Sequence, residues 1–563
     1  MIQHRSPVSG IASFGARHVA TAGYDNQIIL WDAASKRAVA RAYHDHLANQ
    51  CRFSPSGASL VSASSDHTAR VWSIPDLRLR AVLDGHEDDV EMAVFSPDET
   101  RIATASRDHR VRIFAVGGRL LATMTGHTAD VISVEWSPDG RALVSSSDDG
   151  TVRRWSADGS LLGTIDLGGV ESDTVVCGDD GVIYVGTDDG DIVVIAAGVV
   201  RRVQAHRAGI KRLVHDPGSA TLLSAGYDRS VKLWSTRGGD VTLTHVTEAP
   251  ACVWLRACAF ASPDELVFGT FGSAYASYHP ARERWDLREV EDTPGCNAVR
   301  VVDGDTYCVG DAGVVRRNGE VVARMGSLCN FLQPWSGRVL TGGHLGVLFD
   351  ACTGAPLFRN ASPLNCGVDF VVDGEPRCVI GTYTGEGLVF GVGPDGAPVL
   401  LARVALHGNA IKGLAAAGGT LFSVCATGAA AFHDLATLTC IRTIERAHDK
   451  ISNGAACLPD GRFVSVSRDR ELRIWTLETR LEVATPHTHS IKCVAVCPAT
   501  GVVATGSYNG TVALYDPAQD RWTAAQRPTA AGISSITASG HPGVFLASSY
   551  DGESYWVPCA PAR

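Results

Sequence analysis

One pattern recurs along this chain and leaves few folds open to it. The segments YDNQIILWD, SDHTARVWS, DDGTVRRWS, YDRSVKLWS and RDRELRIWT share a common frame. Stretches such as CRFSPSG, AVFSPDE and VEWSPDG precede them, and a histidine stands ahead of each unit, as in LDGHEDDV, MTGHTADV and VQAHRAGI. His4, His44, His86 and His127 follow one another at roughly forty residues. Self-similarity at that period marks units that cannot bury their apolar face alone and stack on their neighbours. Within each unit, short apolar runs are cut by Asp, Asn and Gly at tight turns, which predicts antiparallel strands.

Polar residues keep fixed offsets inside the unit. With the turn aspartate as reference, a Ser or Thr lies four before it and a Trp six after it. Five quartets match in full: His4, Thr21, Asp25, Trp31; His44, Ser62, Asp66, Trp72; His127, Ser145, Asp149, Trp155; His206, Ser224, Asp228, Trp234; and His448, Ser465, Asp469, Trp475. Three further units depart from the pattern. Phe114 replaces the Trp in the unit of His86, Thr104 and Asp108. Asn509 and Tyr515 stand in that of His487 and Thr505, and Thr427 and His433 in that of His407 and Ser423.

The unit resembles the WD40 repeat, in which each copy supplies a four-stranded blade of a β-propeller. The resemblance implies that each quartet is a buried chain of hydrogen bonds, indole to hydroxyl to imidazole to carboxylate. Because an unpartnered buried polar group costs about 1–3 kcal/mol, a closed network braces the blade at little net cost.

Clear units run over 4–43, 44–85, 86–126, 127–169, 170–205 and 206–250, and again over 407–447, 448–486, 487–532 and 533–563. Between 251 and 406 the signature weakens, but turn-punctuated apolar stretches such as ELVFGTFGSAYASY and RVLTGGHLGVLFD leave room for four degenerate blades. The predicted fold is all-β: two tandem seven-bladed propellers, similar in length and blade count to proteins of the actin-interacting protein 1 type. The last unit is one strand short, and MIQHR offers a strand to complete it, because an unpaired edge invites aggregation. That closure predicts a first propeller over 1–250 completed by 533–563, and a second, more degenerate one over 251–532. A plain division near residue 290 is the alternative.

Composition narrows function. A net charge of −10 over 563 residues offers no field for nucleic acid. Sixteen scattered cysteines include no CxxC, and Cys493 and Cys497, at i and i+4 on a strand, sit about 13 Å apart, too far for a disulfide or a shared metal. They read as reduced, buried thiols in a cytoplasmic protein, since MIQHRSPVSG has no apolar leader core and no run is long enough to span a membrane. Only six of the fifty basic residues are lysine, the bias of a GC-rich coding sequence, which points to a bacterial source.

No phosphate loop, dinucleotide fingerprint, zinc motif or calcium loop is present, so no cofactor and no metal is expected. The apparent Ser-His-Asp groupings are absorbed by the quartets. Binding of other proteins through the rims is the leading expectation, because loops on a rigid scaffold carry function in such folds. The resemblance places the residue before each turn aspartate on the top face. Those positions hold Tyr24, Ser65, Arg107, Asp148, Tyr227, Arg468, Tyr508 and Tyr550, among which Tyr24, Arg107, Tyr227, Arg468, Tyr508 and Tyr550 are of the types enriched at hot spots. Tyr24, Arg468, Tyr508 and Tyr550 would share one patch if the first propeller wraps around the termini. His86-Glu87-Asp88-Asp89 could greet a basic partner, although a solvated loop is the simpler reading. The competing function is an enzyme in the central channel of the second propeller, with His279, His344 and Cys366 as its loose material.

Overall fold

Strands short enough to end at a glycine or aspartate turn every few residues can pair only with their sequence neighbours, and they do. The computed structural model describes residues 2–178 and 181–559. It holds thirteen four-stranded sheets and one three-stranded sheet, each an antiparallel meander in which consecutive strands are hydrogen-bonded. The first sheet, Val8–Phe14, His18–Gly23, Gln27–Asp32 and Arg37–Tyr43, sets the pattern. Its second and third strands are buried almost throughout (HVATAG, QIILWD) because each blade is packed on both faces by its neighbours. The outermost strand, RAVARAY, alternates between exposed and partly buried residues, as a strand wetted on one face must.

The chain divides into two compact units, Met1–Asp292 and Thr293–Arg563, each with seven sheets. In each unit the innermost strands neighbour one another in order, and the first neighbours the seventh, so the blades close a ring. Apolar clusters fill the wedges between blades; Ala20, Leu30, Cys51, Leu60 and Trp72 share one.

The expected boundaries are corrected here. Strands Val253–Ser262, Glu265–Thr270, Ala276–His279 and Arg284–Asp286 form the seventh blade of the first unit. The described part of 533–563 forms the three-stranded blade of the second, Ile533–Ala538, Val544–Ser549 and Ser554–Pro558; residues 560–563 lie outside the described residues. Residues 2–7 form no strand. Instead the His4 main-chain N–H donates to Ser273 O at 2.9 Å, tying the start of the first unit to its own seventh blade. The Ser13 hydroxyl bonds Phe260 O across the same joint. Since the seventh blade already owns four consecutive strands, it has no vacancy for a strand from elsewhere. The four blades expected between 251 and 406 are present, one in the first unit and three in the second.

A β-bulge near the start of most innermost strands sets an extra residue against the next blade. Asn49 Nδ2 donates to Val90 O at 3.0 Å, Asn297 to Cys329 O at 3.2 Å, Asn330 to Leu364 O at 2.8 Å, Asn365 to Ile411 O at 2.5 Å and Asn453 to Ile491 O at 2.7 Å. Ser9 makes the same link to Ala48 O, and Ser534 to Cys296 O, which closes the second ring. Nothing in the repeat signature announces these clasps.

Candidate interaction rims

The quartets come first, because they decide which polar groups remain for function. Each tryptophan Nε1–H donates to its hydroxyl: Trp31 to Thr21 at 2.8 Å, Trp72 to Ser62 at 2.7 Å, Trp155 to Ser145 and Trp234 to Ser224 at 2.9 Å, Trp475 to Ser465 at 2.8 Å. The hydroxyl meets Nε2 of His4, His44, His127, His206 or His448 at 2.7–2.9 Å. Nδ1 of the same rings meets Asp25, Asp66, Asp149, Asp228 or Asp469 at 2.8–3.0 Å. A carboxylate can only accept, so Nδ1–H donates and Nε2 is left to accept the hydroxyl hydrogen. Burial holds His44 and His448 below their ordinary pKa, outweighing the pull of the aspartates, which keeps both rings neutral. For Asp66, burial pushes upward, but the His44 and Thr68 hydrogen bonds and Arg70 hold the carboxyl below its usual range. These histidines are struts with both nitrogens used.

The incomplete units show what the missing partner costs. His86 keeps Thr104 at 2.9 Å, but its Nδ1 has no partner, and Asp108 turns to Arg112 at 2.7 Å. His487 keeps Thr505 at 2.8 Å with Nδ1 unpartnered, while Asn509 turns to Thr488 and the Tyr515 hydroxyl donates to Asp520. His407 keeps Ser423 at 2.9 Å, and His433, in the tryptophan position, leaves its Nδ1 unsatisfied.

The rim positions separate by unit. In the first, two bulge residues that do not act as clasps, Glu91 and Lys211, are charged. Glu91 pairs with Arg107 at 2.5 Å and with Arg256 at 2.5 Å, and Arg107 also pairs with Asp130. Lys211 pairs with Asp173 and Asp188 at 2.5 and 2.7 Å and lies 4.7 Å over the Tyr227 ring. Tyr24 stands edge-on to Trp254 at 5.2 Å. Arg107 is thus already neutralised within the chain. Carboxylates remain in excess: burial, then Asp130, Asp173 and Glu171, push the half-buried Asp148 well above the usual carboxylate range, with Arg107 only partly offsetting them. Burial likewise raises Asp130 and Asp188.

In the second unit, Tyr508 and Tyr550 stack at 6.4 Å, with Arg468 5.7 Å and Lys492 5.9 Å from the Tyr508 ring. Tyr550 is only 8% exposed. The shared patch with Tyr24 rested on a wrap-around closure that the fold does not have: Tyr24 belongs to the first unit, and Arg468, Tyr508 and Tyr550 to the second.

The residues named for an enzyme divide between the two units. His279 ends a strand of the first unit, 3.8 Å from Glu265, whereas His344 and Cys366 lie in the second. Burial pushes the Cys366 thiol up to about 12, so it is no nucleophile at neutral pH. All sixteen cysteines are free; Cys352 and Cys440 are exposed, and Cys493, half-buried, follows the same rule as Cys366. The acidic element His86–Asp89 contributes Asp88 and Asp89, which with His67 place ligand-type atoms within 4.8 Å of one another. His67 takes part because its turn holds it in the left-handed region at φ 65°, a placement the sequence did not signal.

Two closed rings of radial antiparallel sheets, braced by buried polar quartets, define a tandem β-propeller protein. The repeat family described as "WD domain, G-beta repeat" matches residues 1–32, 40–73, 77–114, 118–156, 198–235, 438–476 and 479–516. The chain thus carries seven matched WD40 repeats. It is similar to "Nuclear distribution protein PAC1" of Arthroderma benhamiae and of Trichophyton verrucosum, 33% identical in each case over 92 residues, 15% of this chain. The matched stretch spans 20% of each relative's length. These relatives are fungal and lend no support to a bacterial source. Among the described residues no helix is long and apolar enough to cross a membrane.

Proposed function

We propose that the chain is a non-catalytic scaffold for other proteins, and that the rim of its first unit receives a basic segment of a partner. One observation carries the reading. Asp130, Asp148, Asp173 and Asp188 crowd together with Arg107 and Lys211 as counter-charges, and Asp148 has no cation within ion-pair reach among the described residues. A lysine or arginine arriving there would relieve like-charge repulsion and be partly desolvated, which favours specificity and fast association. Tyr24 and Tyr227 supply adjacent contact area of the type enriched at hot spots. Arg468 and Tyr508 offer a second, cationic-aromatic surface on the other unit. Sixteen free thiols suit a reducing compartment such as the cytoplasm, and the net charge of −10 disfavours nucleic acid.

The test is affinity capture from native cells with quantitative mass spectrometry, comparing wild type, D148N/D173N and Y508A. Recovery of a salt-sensitive partner should fall about tenfold in D148N/D173N and hold in Y508A. Equal recovery by all three, or loss in Y508A alone, overturns the assignment.

A further inference from the structure

Innermost strands turn alternate side chains toward the axis of their ring. In the first unit, the position after the bulge is held by Gly10, Gln50, Met92, Ser133 and Arg212 on blades one to four and six. Two residues further along their strands stand Arg52 and Glu135. Arg212 is the one charged residue among those five.

Arg212 is 6% exposed. Its Nε has no hydrogen-bond partner, and among the described residues the one hydrogen bond of the group runs from Nη1 to Met92 Sδ at 3.9 Å. Arg52 also lacks a partner at Nε, and its Nη2 stands 3.8 Å from Glu135 Oε2, outside hydrogen-bonding range. Two guanidinium groups thus share one carboxylate that neither grips. Burial lifts the Glu135 carboxyl even against the pull of both arginines, so the trio is not a settled ion-pair network. Burial and the nearby Arg52 lower Arg212 to about 9, which leaves it charged at neutral pH. An uncompensated buried cation is expensive, and a well-packed apolar residue would ordinarily serve better. Guanidinium groups also present forked N–H pairs that match the oxygens of phosphate.

We propose that the axial channel of the first unit binds a compact oxyanion of the phosphate type between Arg212 and Arg52. Two forks approaching from different blades can engage separate oxygens of a tetrahedral anion, whereas Glu135 offers one edge. The anion would supply the acceptors that both Nε–H groups lack and reverse the excess of positive charge. Glu135 then acts as a competitor that weakens binding.

Equilibrium dialysis of the full chain with radiolabelled inorganic phosphate, and in parallel with glycerol phosphate, tests the site at fixed ionic strength in chloride. Wild type should bind phosphate saturably, R212M and R52M at least about tenfold more weakly, and E135Q several-fold more tightly. R212M should melt at or above wild type in chloride, because it removes an uncompensated charge, and circular dichroism checks its fold. If R212M does not fold, R52M and E135Q decide the question by themselves. Binding of both ligands fits a channel open to the ester group, and binding of inorganic phosphate alone fits a closed site. Absence of saturable binding to wild type, or affinities unchanged by R52M and E135Q, overturns the proposal.

Discussion

Replacing Thr21 with valine deletes one oxygen and keeps the outline of the side chain. That oxygen accepts the Trp31 indole N–H at 2.8 Å and bonds His4 Nε2 at 2.7 Å, and all three groups are buried. T21V therefore strands two polar groups, each at about 1–3 kcal/mol, for a loss of about 2–5 kcal/mol after local relaxation. Thr104 provides the matched control within the same unit. It is equally buried and bonds His86 Nε2 at 2.9 Å, but Phe114 stands where a tryptophan would donate, so T104V strands one group at about 1–3 kcal/mol. Urea titrations followed by far-ultraviolet circular dichroism give the midpoint shifts, which a common m value converts to free energies. The first variant should lose about 1–2 kcal/mol more than the second. In a T21V background, W31F should add less than it does alone, since its partner is already gone. Equal losses, or a larger loss at Thr104, would refute the claim that the indole-to-hydroxyl bond braces the blade.

Acid should loosen the rings through three buried histidines. Burial holds His86, His407 and His487 at about 4 against an ordinary 6.5, so they stay neutral in the fold while the unfolded chain takes up their protons. Their contribution is intact above pH 6.5 and is lost as pH falls towards 4, at about 1.4 kcal/mol per pH unit for each proton. H487Q should flatten the slope for the second unit by one such increment between pH 6 and 5, and an unchanged slope speaks against the burial argument. At the tight turns, Gly428 has φ +81°, and a Cβ there would meet His448 O at 2.5 Å. G428A should cost about 1–3 kcal/mol by thermal denaturation, whereas R470G, at φ 69° in the next blade, should cost nothing or gain up to about 1 kcal/mol.

The sequence carried the blades wherever buried polar atoms had to meet at fixed offsets. His127, Ser145, Asp149 and Trp155 can be read in one line because no other spacing would satisfy them. Where that demand lapses, at 251–292, no quartet marks the blade, and the expected seventh blade of the first ring fell on 533–563 instead. The clasps were invisible for the opposite reason. A single asparagine at 49, 297 or 330 looks like any strand-end residue until the bulge aims its amide at the next blade. Arg52 and Arg212 were hidden by alternation, since a charged residue every second position ordinarily means a wetted face. In a closed ring the inner face points at the axis.

Neither ring exchanges a strand across its joint. Main-chain ladders hold each blade together, whereas the joint between the first and seventh blades of the first unit rests on packing, the Ser13 link, the His4 main-chain bond and the Lys36–Asp286 ion pair. Tension across such a molecule would part it there first, like a bracelet at its buckle, and leave every sheet whole. Parting there would uncover the apolar cluster of Ile11, Ile29, Trp31, Val267 and Tyr275, which sets the resistance of the ring to opening.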